Sequence, residues 1–459
     1  MTSSTFQDTV NEFVLSKDQV QKIIDGLTEE LVEGLSTKDP KNITQQPSYI
    51  TRLPTGQETG LYLAIDMGGT NLRTAAVHLL GDGQVGVTME KHEITHDLKT
   101  GTGEAMFDWI ADCTAQLLKS VALDLGTTAD LQMGVTFSFA LHQTAINRGT
   151  VLAMGKGFDL SDVMGKDLKD LLEGGFARKN LPVSVSAIIN DTVGTLVSHA
   201  YVSPSTKIGV ILATGTNAAY IERAADVSKY NGPACDQMIL NTEWDAMGKA
   251  SYLPQTKYDK EIDAVSLVPG FQEFEKMVSG LYMGELVRLS LVDLIERNAI
   301  FEFLGGKVPE SLKPRLAFKT LFMSTIESEN NPEHTAVDHV FKSSFGIEGL
   351  TADDRRRVFE LVHAVGKRSA TMTAAACAAL LHKANGASVN LDDANEITTI
   401  GIDGSVFEKY PHFSHEMMEA LTEILGKDRA SRIRLELARD GGCIGAALVA
   451  MVSHSGGAV

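Results

Sequence analysis

Two short turns rich in glycine and polar residues carry groups that could bind phosphate. The first, Asp66-Met67-Gly68-Gly69-Thr70-Asn71, lies between two apolar strand candidates. Its glycines have no Cβ, so their backbone N–H groups can approach phosphate oxygens, and Thr70 and Asn71 add side-chain donors. Asp66 could hold Mg²⁺ through water, because Mg²⁺ keeps part of its hydration shell. An ordinary hairpin turn has the same composition, so this motif alone leaves both interpretations open.

The second turn, Thr214-Gly215-Thr216-Asn217, repeats the Gly-Thr-Asn sequence of the first. It also lies between apolar strand candidates, Ile208 to Ala213 and Ala218 to Ile221. We interpret the two hairpins as a structural repeat. Two similar α/β halves that face each other would place both turns at one cleft.

Three carboxylates lie in motifs that suit a sugar site. Asp191 follows a predicted strand, Val183 to Ile189, and begins a predicted helix, so it is either a helix cap or a general base at the mouth of a cleft. The other two are Glu243, in Asn241-Thr242-Glu243-Trp244, and Glu275, in Phe274-Glu275-Lys276. Most glutamates are solvated surface groups, yet a sugar site needs fixed acceptors for neutral hydroxyls.

The elements that must position these residues follow from apolar periodicity. Ser16 to Leu35 is a predicted amphipathic helix, with Ser16 and Gln19 as a capping box. The other predictions are strands at Leu61 to Ile65 and Leu72 to His78, a helix at Glu104 to Val121, a third glycine turn at Ile400 to Ser405, and a helix at Gly445 to Val452.

Composition restricts the classes of partner and compartment. A chain of 459 residues is expected to form two domains or lobes. The net charge of −18 argues against nucleic acid or an anionic membrane as the main partner. The four scattered cysteines favour neither a zinc site nor a disulfide framework. Since Met1 to Leu15 lacks a secretory or import pattern and Ala370 to Leu381 is too short to span a bilayer, we expect a cytoplasmic protein without a membrane span.

Phosphoryl transfer requires phosphate donors, a carboxylate that organises the metal, and a base for the attacking hydroxyl. The chain lacks a GxxxxGK(S/T) sequence, which excludes a P-loop kinase. Taken together, its motifs resemble those of the eukaryotic hexokinase and glucokinase family, essentially end to end, and most closely the fungal enzymes of single-unit length. The matching segments are Leu63 to Arg73, Thr136 to Phe139, Lys156 to Phe158, Asn190 to Thr195, Thr214 to Asn217, Asn241 to Trp244, Phe274 to Lys276, and Asp403 to Ser405.

The resemblance implies an α/β protein with the actin-like ATPase (ribonuclease H-like) fold, whose two lobes close over a hexose and ATP. The expected small lobe is 61–190 plus 440–459, and the expected large lobe is 1–60 plus 191–439. The implied activity is transfer of phosphate to the 6-hydroxyl of a hexose such as glucose, at the entry to glycolysis. Closure would exclude water, which is a competing nucleophile. The implied oligomeric state is monomer or dimer.

By the same resemblance, Asp191 is the catalytic base and Lys156 neutralises charge near the transferring group. The residues implied to bind the sugar are Ser138, Gly155, Lys156, Asn190, Asp191, Asn217, Glu243 and Glu275. Those implied to contact ATP are Asp66, Gly68, Gly69, Thr70, Asn71, Arg73, Thr216, Thr320, Ser324, Gly404 and Ser405. Asp66 would hold Mg²⁺ through water.

The chain departs from the family pattern at several positions near the expected sugar site. The departures are Ala140 for Pro, Met154 and Gly155 for Trp and Thr, Ala213 for Gly, Asp245 for Gly, and Gly442 for Ser. Loss of the Thr hydroxyl predicts a higher sugar KM, and loss of the Trp-Thr pair could admit a 2-acetamido hexose such as N-acetylglucosamine. A catalytically weak sugar sensor is the other alternative. We favour an active enzyme, because relaxed selection would erode charged groups that are all still present.

Overall fold

The computed structural model describes residues 2–37, 43–122, 130–248 and 251–455. Within these ranges the chain forms two large β-sheets, a short hairpin and many helices. The strands are β1 (Gln46–Pro47), β2 (Thr59–Met67), β3 (Asn71–Gly81), β4 (Gln84–Glu93), β5 (Leu131–Phe137), β6 (Ala140–Ala145), β7 (Arg148–Ala153), β8 (Val183–Ile189), β9 (Thr206–Leu212), β10 (Thr216–Arg223), β11 (Gln237–Asn241), β12 (Thr398–Asp403) and β13 (Ile433–Leu437).

The helices surround these sheets, and short 3₁₀ turns such as Trp244–Ala246 connect some of the elements. The α-helices are α1 (Thr2–Asn11), α2 (Lys17–Ser36), α3 (His96–Thr100), α4 (Gly103–Ser120), α5 (Leu168–Arg178), α6 (Asp191–Val202), α7 (Lys257–Ala264), α8 (Glu273–Val278), α9 (Met283–Glu296), α10 (Thr320–Glu327), α11 (Thr335–Val340), α12 (Ala352–Ala384), α13 (Ser405–Lys409), α14 (Phe413–Leu425), α15 (Lys427–Ala430) and α16 (Gly441–Ser455). No helix in the described ranges combines the length and apolar character needed to cross a membrane.

The two sheets repeat one topology. One sheet has the order β4-β3-β2-β5-β8, and the other has the order β11-β10-β9-β12-β13 with β1 added at its edge. In the first sheet β2, β3 and β4 are antiparallel neighbours, and β5 and β8 run parallel to β2. In the second sheet β9, β10 and β11 are antiparallel neighbours, and β12 and β13 run parallel to β9. The predicted repeat is therefore confirmed, and its two glycine turns join β2 to β3 and β9 to β10.

Two helices pack back to back between the sheets. Helix α6 lies on β9 and helix α16 lies on β5 and β2, and the two helices contact each other closely. Glycines permit this approach, since a Cβ on Gly194 would lie 2.4 Å from the carbonyl oxygen of Gly441, and one on Gly445 would lie 2.4 Å from the Cα of Gly194. A core of buried residues from both helices and both sheets fills the space around them. The division into lobes at residues 190/191 and 439/440 stays a prediction, and residues 1, 38–42, 123–129, 249–250 and 456–459 of those lobes lie outside the described ranges.

Most predicted elements are present, and two differ from expectation. The capping box of Ser16 and Gln19 begins α2 as predicted. The predicted glycine turn at Ile400 to Ser405 is wrong over its first half, because β12 continues to Asp403. Gly401 lies inside that strand, where a Cβ would come within 2.8 Å of the His199 ring, so its small size serves packing of α6 on the sheet. The predicted helix from Gly445 begins earlier, at Gly441.

Candidate active site

An ion pair lies beside the first glycine turn, whose glycines have no side chains to cover the backbone. Asp66, near the end of β2, pairs with Arg73 of β3 in the antiparallel register, and their side chains form an ion pair at 2.8 Å. The N–H of Gly68 donates to the carbonyl of Asn71 at 3.1 Å and closes the turn, while Thr70 is exposed. Burial raises the pKa of Asp66 above its usual value, and Arg73 and Lys156 oppose that shift. A carboxylate, a guanidinium and a glycine turn therefore lie together at the end of β2.

Lys156 lies across this turn. Its backbone has a φ of 60°, which is rare for a residue with a side chain and is typical of strained functional positions. Its ammonium group donates to the carbonyl of Ser138 at 2.9 Å and lies 5.1 Å from the centre of the Phe139 ring. Its aliphatic stem passes over Gly69, where a Cβ would come within 2.6 Å of the Lys156 Cδ. The absence of a side chain at Gly69 thus leaves room for the Lys156 side chain beside this turn.

Asp191 is the first residue of α6 and is held in a fixed direction. Asn190 caps the helix, its side-chain oxygen accepting from the Thr192 N–H at 2.8 Å. The same N–H also donates to Asp191 Oδ1 at 2.8 Å, and the Thr192 hydroxyl donates to it at 3.3 Å. Burial, and then the charge of Asp66, raise the pKa of Asp191, against the opposing effects of Thr192 and Lys156. A buried carboxylate with a raised pKa is suited to accept a proton.

The second glycine turn is filled by side chains rather than left open. The Thr216 hydroxyl is buried and accepts from the indole N–H of Trp244 at 3.0 Å. The Thr216 backbone N–H donates to Glu275 Oε2 at 3.1 Å. A Cβ on Gly215 would come within 2.6 Å of that oxygen, so glycine is required for Glu275 to approach. Burial, and then the charge of Asp245, raise the pKa of Glu275 to about 7.

Glu243 is the centre of an amide cluster at the end of β11. Its Oε1 accepts from the side-chain amides of Asn217, at 3.1 Å, and Asn241, at 2.5 Å. The Asn217 amide also donates to Asn241 Oδ1 at 2.9 Å. Burial, and then the charge of Asp245, raise the pKa of Glu243 to about 8. Sequence reasoning gave Asn241 no role, although it stands in the same motif as Glu243 and orients it.

Among the residues expected to contact the nucleotide, Gly404 lies against the end of β9 and Thr320 is joined to it through Gly280. Thr320 donates its hydroxyl to the carbonyl of Gly280 at 2.7 Å, and the Gly280 N–H donates to the carbonyl of Ala213 at 2.8 Å. Gly404, with a φ of 128°, lies so close to Ala213 that a Cβ on it would be 3.0 Å from the Ala213 Cβ. Ser405 is exposed at the start of α13, whereas the Ser324 hydroxyl donates to the carbonyl of Lys409 at 3.0 Å.

Electrostatic effects connect the groups of both sheets. Asp191 responds to the charge of Asp66 from the first sheet, and Glu243 and Asp403 of the second sheet respond to the charge of Asp191. Asp403 is a candidate that sequence reasoning left without a role, and its pKa is raised by burial and then by Asp440. The sequence does carry a signal for Asp403, because this residue ends an apolar strand and α/β sheets bind ligands at the carboxyl ends of their strands.

Gly155 and Met154, two of the departures from the family pattern near the expected sugar site, lie in different environments. A Cβ on Gly155 would meet no atom within 4 Å, so this position faces open space. Met154 is only 7% exposed and packs in the apolar core around β5 and α4. Open space is therefore observed beside Gly155, whereas Met154 itself is packed in the core.

The duplicated sheets, the two glycine turns and the electrostatically coupled carboxylates define a two-lobed phosphotransferase with the actin-like ATPase fold. A family profile described as hexokinase matches residues 5–201, and a second with the same description matches residues 207–452. Hexokinase-1 of Schizosaccharomyces pombe is 36% identical over 466 residues, covering 100% of this chain and 93% of the relative. Glucokinase of Aspergillus niger is 36% identical over 95% of this chain and 94% of its own.

Solved structures agree in fold over the full chain. The glucose complex of hexokinase from Schistosoma mansoni is 32% identical, covers 98% of this chain and 99% of its own, and has a TM-score of 0.81. Another crystal structure described as hexokinase is 28% identical, covers 99% of each chain and has a TM-score of 0.88. The chain belongs to the hexokinase family.

Proposed function

We propose that this chain transfers the γ-phosphoryl group of ATP to the 6-hydroxyl of a hexose such as glucose, with Asp191 as the general base. The observation that carries the proposal is the placement of Asp191. Its carboxylate begins the helix between the two glycine turns, is fixed by two bonds from Thr192, and has a raised pKa. Relatives named hexokinase and glucokinase and a hexokinase solved with glucose support the hexose as substrate.

The sugar is held by groups from both sheets. Asn217, Glu243 and Glu275 supply fixed acceptors and donors from the second sheet, and Ser138 and Lys156 approach from the first. In this proposal Asn190 and Asp191 contribute to the sugar site from the start of α6. Hydrogen bonds between neutral hydroxyls and carboxylates are among the stronger ones, which favours a sugar over an apolar ligand. Gly155, which faces open space, is also proposed to lie at the sugar site.

The residues present fit ATP and Mg²⁺. The turn at Gly68 to Asn71 offers backbone N–H groups and the Thr70 hydroxyl to phosphates, with Arg73 beside it. Thr216, whose backbone N–H is bound to Glu275 in this structure, is the proposed contact from the second turn, and Thr320, Ser324, Gly404 and Ser405 are the proposed contacts for the rest of the nucleotide. Asp66 would hold Mg²⁺ through water, and the metal would neutralise phosphate charge. Lys156 supplies a second positive charge from the opposite side of the turn, where Gly69 lets its stem cross.

Asp191 takes the proton of the 6-hydroxyl as the oxygen attacks, and its raised pKa brings its basicity closer to that needed near neutral pH. We further propose that the two expected lobes close to exclude water, that the protein acts in the cytoplasm as a monomer or dimer, and that it binds no nucleic acid.

The test is a coupled assay of purified protein with ATP, Mg²⁺ and a panel of glucose, fructose, mannose and N-acetylglucosamine. We expect ADP and hexose 6-phosphate in equal amounts at about 1–100 s⁻¹. Preferred turnover of N-acetylglucosamine would contradict the substrate. Hexose binding by calorimetry without phosphorylation at millimolar sugar would contradict the enzymatic role and indicate a sensor.

A further inference from the structure

A short hairpin places Lys156 and a phenylalanine at the same end. Strand β6 begins at Ala140, immediately after Phe139, and Ala140 pairs in register with Ala153, the last residue of β7. Lys156 follows Ala153 after a short connection. Because antiparallel strands place the start of one beside the end of the other, Phe139 and Lys156 become neighbours in the fold.

The Phe139 ring packs against two other aromatic rings. Its centre lies 5.0 Å from that of Phe137, and 5.1 Å from that of Phe158 in an edge-to-face arrangement. Both partners are buried in the core around β5, whereas Phe139 itself is only partly buried. Aromatic pairs at these distances stabilise one another beyond the area that they bury. The Phe139 ring is therefore held by the core while part of its surface stays outside it.

The Lys156 ammonium lies at this ring. It is 5.1 Å from the ring centre and donates to the carbonyl of Ser138 at 2.9 Å. A cation within about 6 Å of an aromatic centre is attracted by the electrons of the ring face. An ammonium group has three N–H donors, and Ser138 is the acceptor for one of them among the described residues. The remaining donors are available to a phosphate.

No carboxylate in the described part of the chain forms an ion pair with Lys156. Asp66 is paired with Arg73 instead, at 2.8 Å. An aromatic face and a backbone carbonyl hold a cation without bringing a full negative charge to it, whereas an ion pair would offset the charge. A lysine that must stabilise the negative charge of a phosphoryl group gains from a holder of this kind, since its whole charge stays available for the transfer.

We propose that Phe139 is a positioning residue for Lys156, and that its ring holds the ammonium beside the first glycine turn for phosphoryl transfer. The proposal rests on the proposed function, in which Lys156 neutralises charge near the transferring group. Lysine has a long flexible stem and Lys156 is exposed, so without a partner its ammonium would sample many positions. The ring restricts these positions before ATP binds, and Gly69 leaves room for the stem. Such restriction in advance lowers the barrier to reaction.

The kinetic test compares the wild type with Phe139→Leu and Phe139→Tyr. Leucine keeps an apolar side chain but has no aromatic face, whereas tyrosine keeps the ring. We expect Phe139→Leu to lower kcat by about two- to fivefold, as for an exposed cation–π contact, with little change in KM for hexose. Phe139→Tyr should keep kcat within about twofold of the wild type. The proposal is overturned if Phe139→Leu keeps the wild-type kcat, or if both variants lose the same amount.

Lys99→Met is the matched control for the aromatic group. The Lys99 ammonium lies 5.4 Å from the centre of the Phe158 ring, so it is a second cation on the same set of rings, but it has no proposed role in the transfer. This variant should keep the wild-type kcat. A loss as large as that of Phe139→Leu would assign the effect to the aromatic core and contradict a specific role for Lys156.

A double-mutant cycle tests the contact without catalysis, so that failure of the proposed function is distinguishable. The free energy of unfolding in urea is measured for Phe139→Leu, Lys156→Met and the double variant. If the ring and the ammonium interact, Phe139→Leu should cost less stability when Lys156 is already methionine. The same cycle with Lys99→Met should be additive. Additive losses in the Lys156 cycle overturn the proposal even in a protein that phosphorylates no sugar.

Discussion

Asp66 lies directly against Gly442, so closely that a Cβ on Gly442 would be 2.8 Å from the Asp66 Oδ2. The same oxygen forms the ion pair with Arg73 at 2.8 Å. Gly442 stands where the family usually has Ser, and the missing side chain gives the Asp66 carboxylate its present position. The start of α16, which packs on α6, therefore limits where the Asp66 carboxylate can lie.

Gly442→Ala should displace Asp66 and weaken the use of ATP-Mg²⁺. We expect the KM for ATP to rise several-fold, with sugar KM nearly unchanged, because the added methyl group leaves no room and offers no hydrogen bond. Gly442→Ser introduces the same Cβ but also a donor for Asp66, so its effect should be smaller. Steady-state kinetics with each substrate varied will measure this, and an unchanged KM for ATP in both variants would refute the proposed role of this contact.

Asp191→Ala should lower kcat by about 10²–10⁴-fold while the fold remains intact. The base must be ionised, and its pKa is raised, so wild-type activity should fall as the pH decreases toward that raised value. Circular dichroism and urea unfolding serve as controls for folding. Turnover at a near wild-type rate in the variant would show that another group takes the proton.

Local sequence patterns predict the hairpins well because the strands and turns are built from neighbouring residues. The Gly-Thr-Asn turns are flanked by apolar runs that must be buried, and the capping box of Ser16 and Gln19 closes within one turn of helix. The repeat of the two sheets follows from the same motifs, since matching hairpins begin matching units. The position of Asp191 at the start of a helix is predictable for a similar reason, because Asn190-Asp191 follows a buried strand.

Local sequence patterns do not reveal contacts between distant parts of the chain. Gly401 was predicted to form a turn, but its partner is the ring of His199 on α6, which only the folded chain brings near. The hydrogen bond from Gln272 to Asp245 and the burial of Met154 likewise depend on residues that only the folded chain brings together. The raised pKa of Asp403 also depends on distant groups, because burial and then the charges of Asp440 and Asp191 raise it.

Asp259→Ala should be strongly destabilising. Asp259 of α7 and Arg368 of α12 form a buried bidentate ion pair, in which both N–O distances are 2.8 Å. Removing one partner leaves an unpaired buried charge, which costs about 3–5 kcal/mol. Arg356→Ala removes an exposed pair with Glu360 on the same helix and should cost no more than about 0.5 kcal/mol. Urea unfolding measures both, and equal losses would contradict the role of burial.

Gly155→Thr should raise kcat/KM for glucose. The position faces open space, so a threonine fits and returns the hydroxyl that the family usually has there. A contact in a pocket is worth about 1–3 kcal/mol, or about 10–200-fold in selectivity, so activity on 2-acetamido sugars should fall relative to glucose. Gly155→Ala fills the space without a hydroxyl and is the matched control. Because Met154 is buried in a packed core, Met154→Trp should instead cost about 1–3 kcal/mol of stability through overpacking. The measurement is kcat/KM for both sugars in each protein, and a glucose value that is unchanged or lower in Gly155→Thr would show that this position does not limit sugar binding.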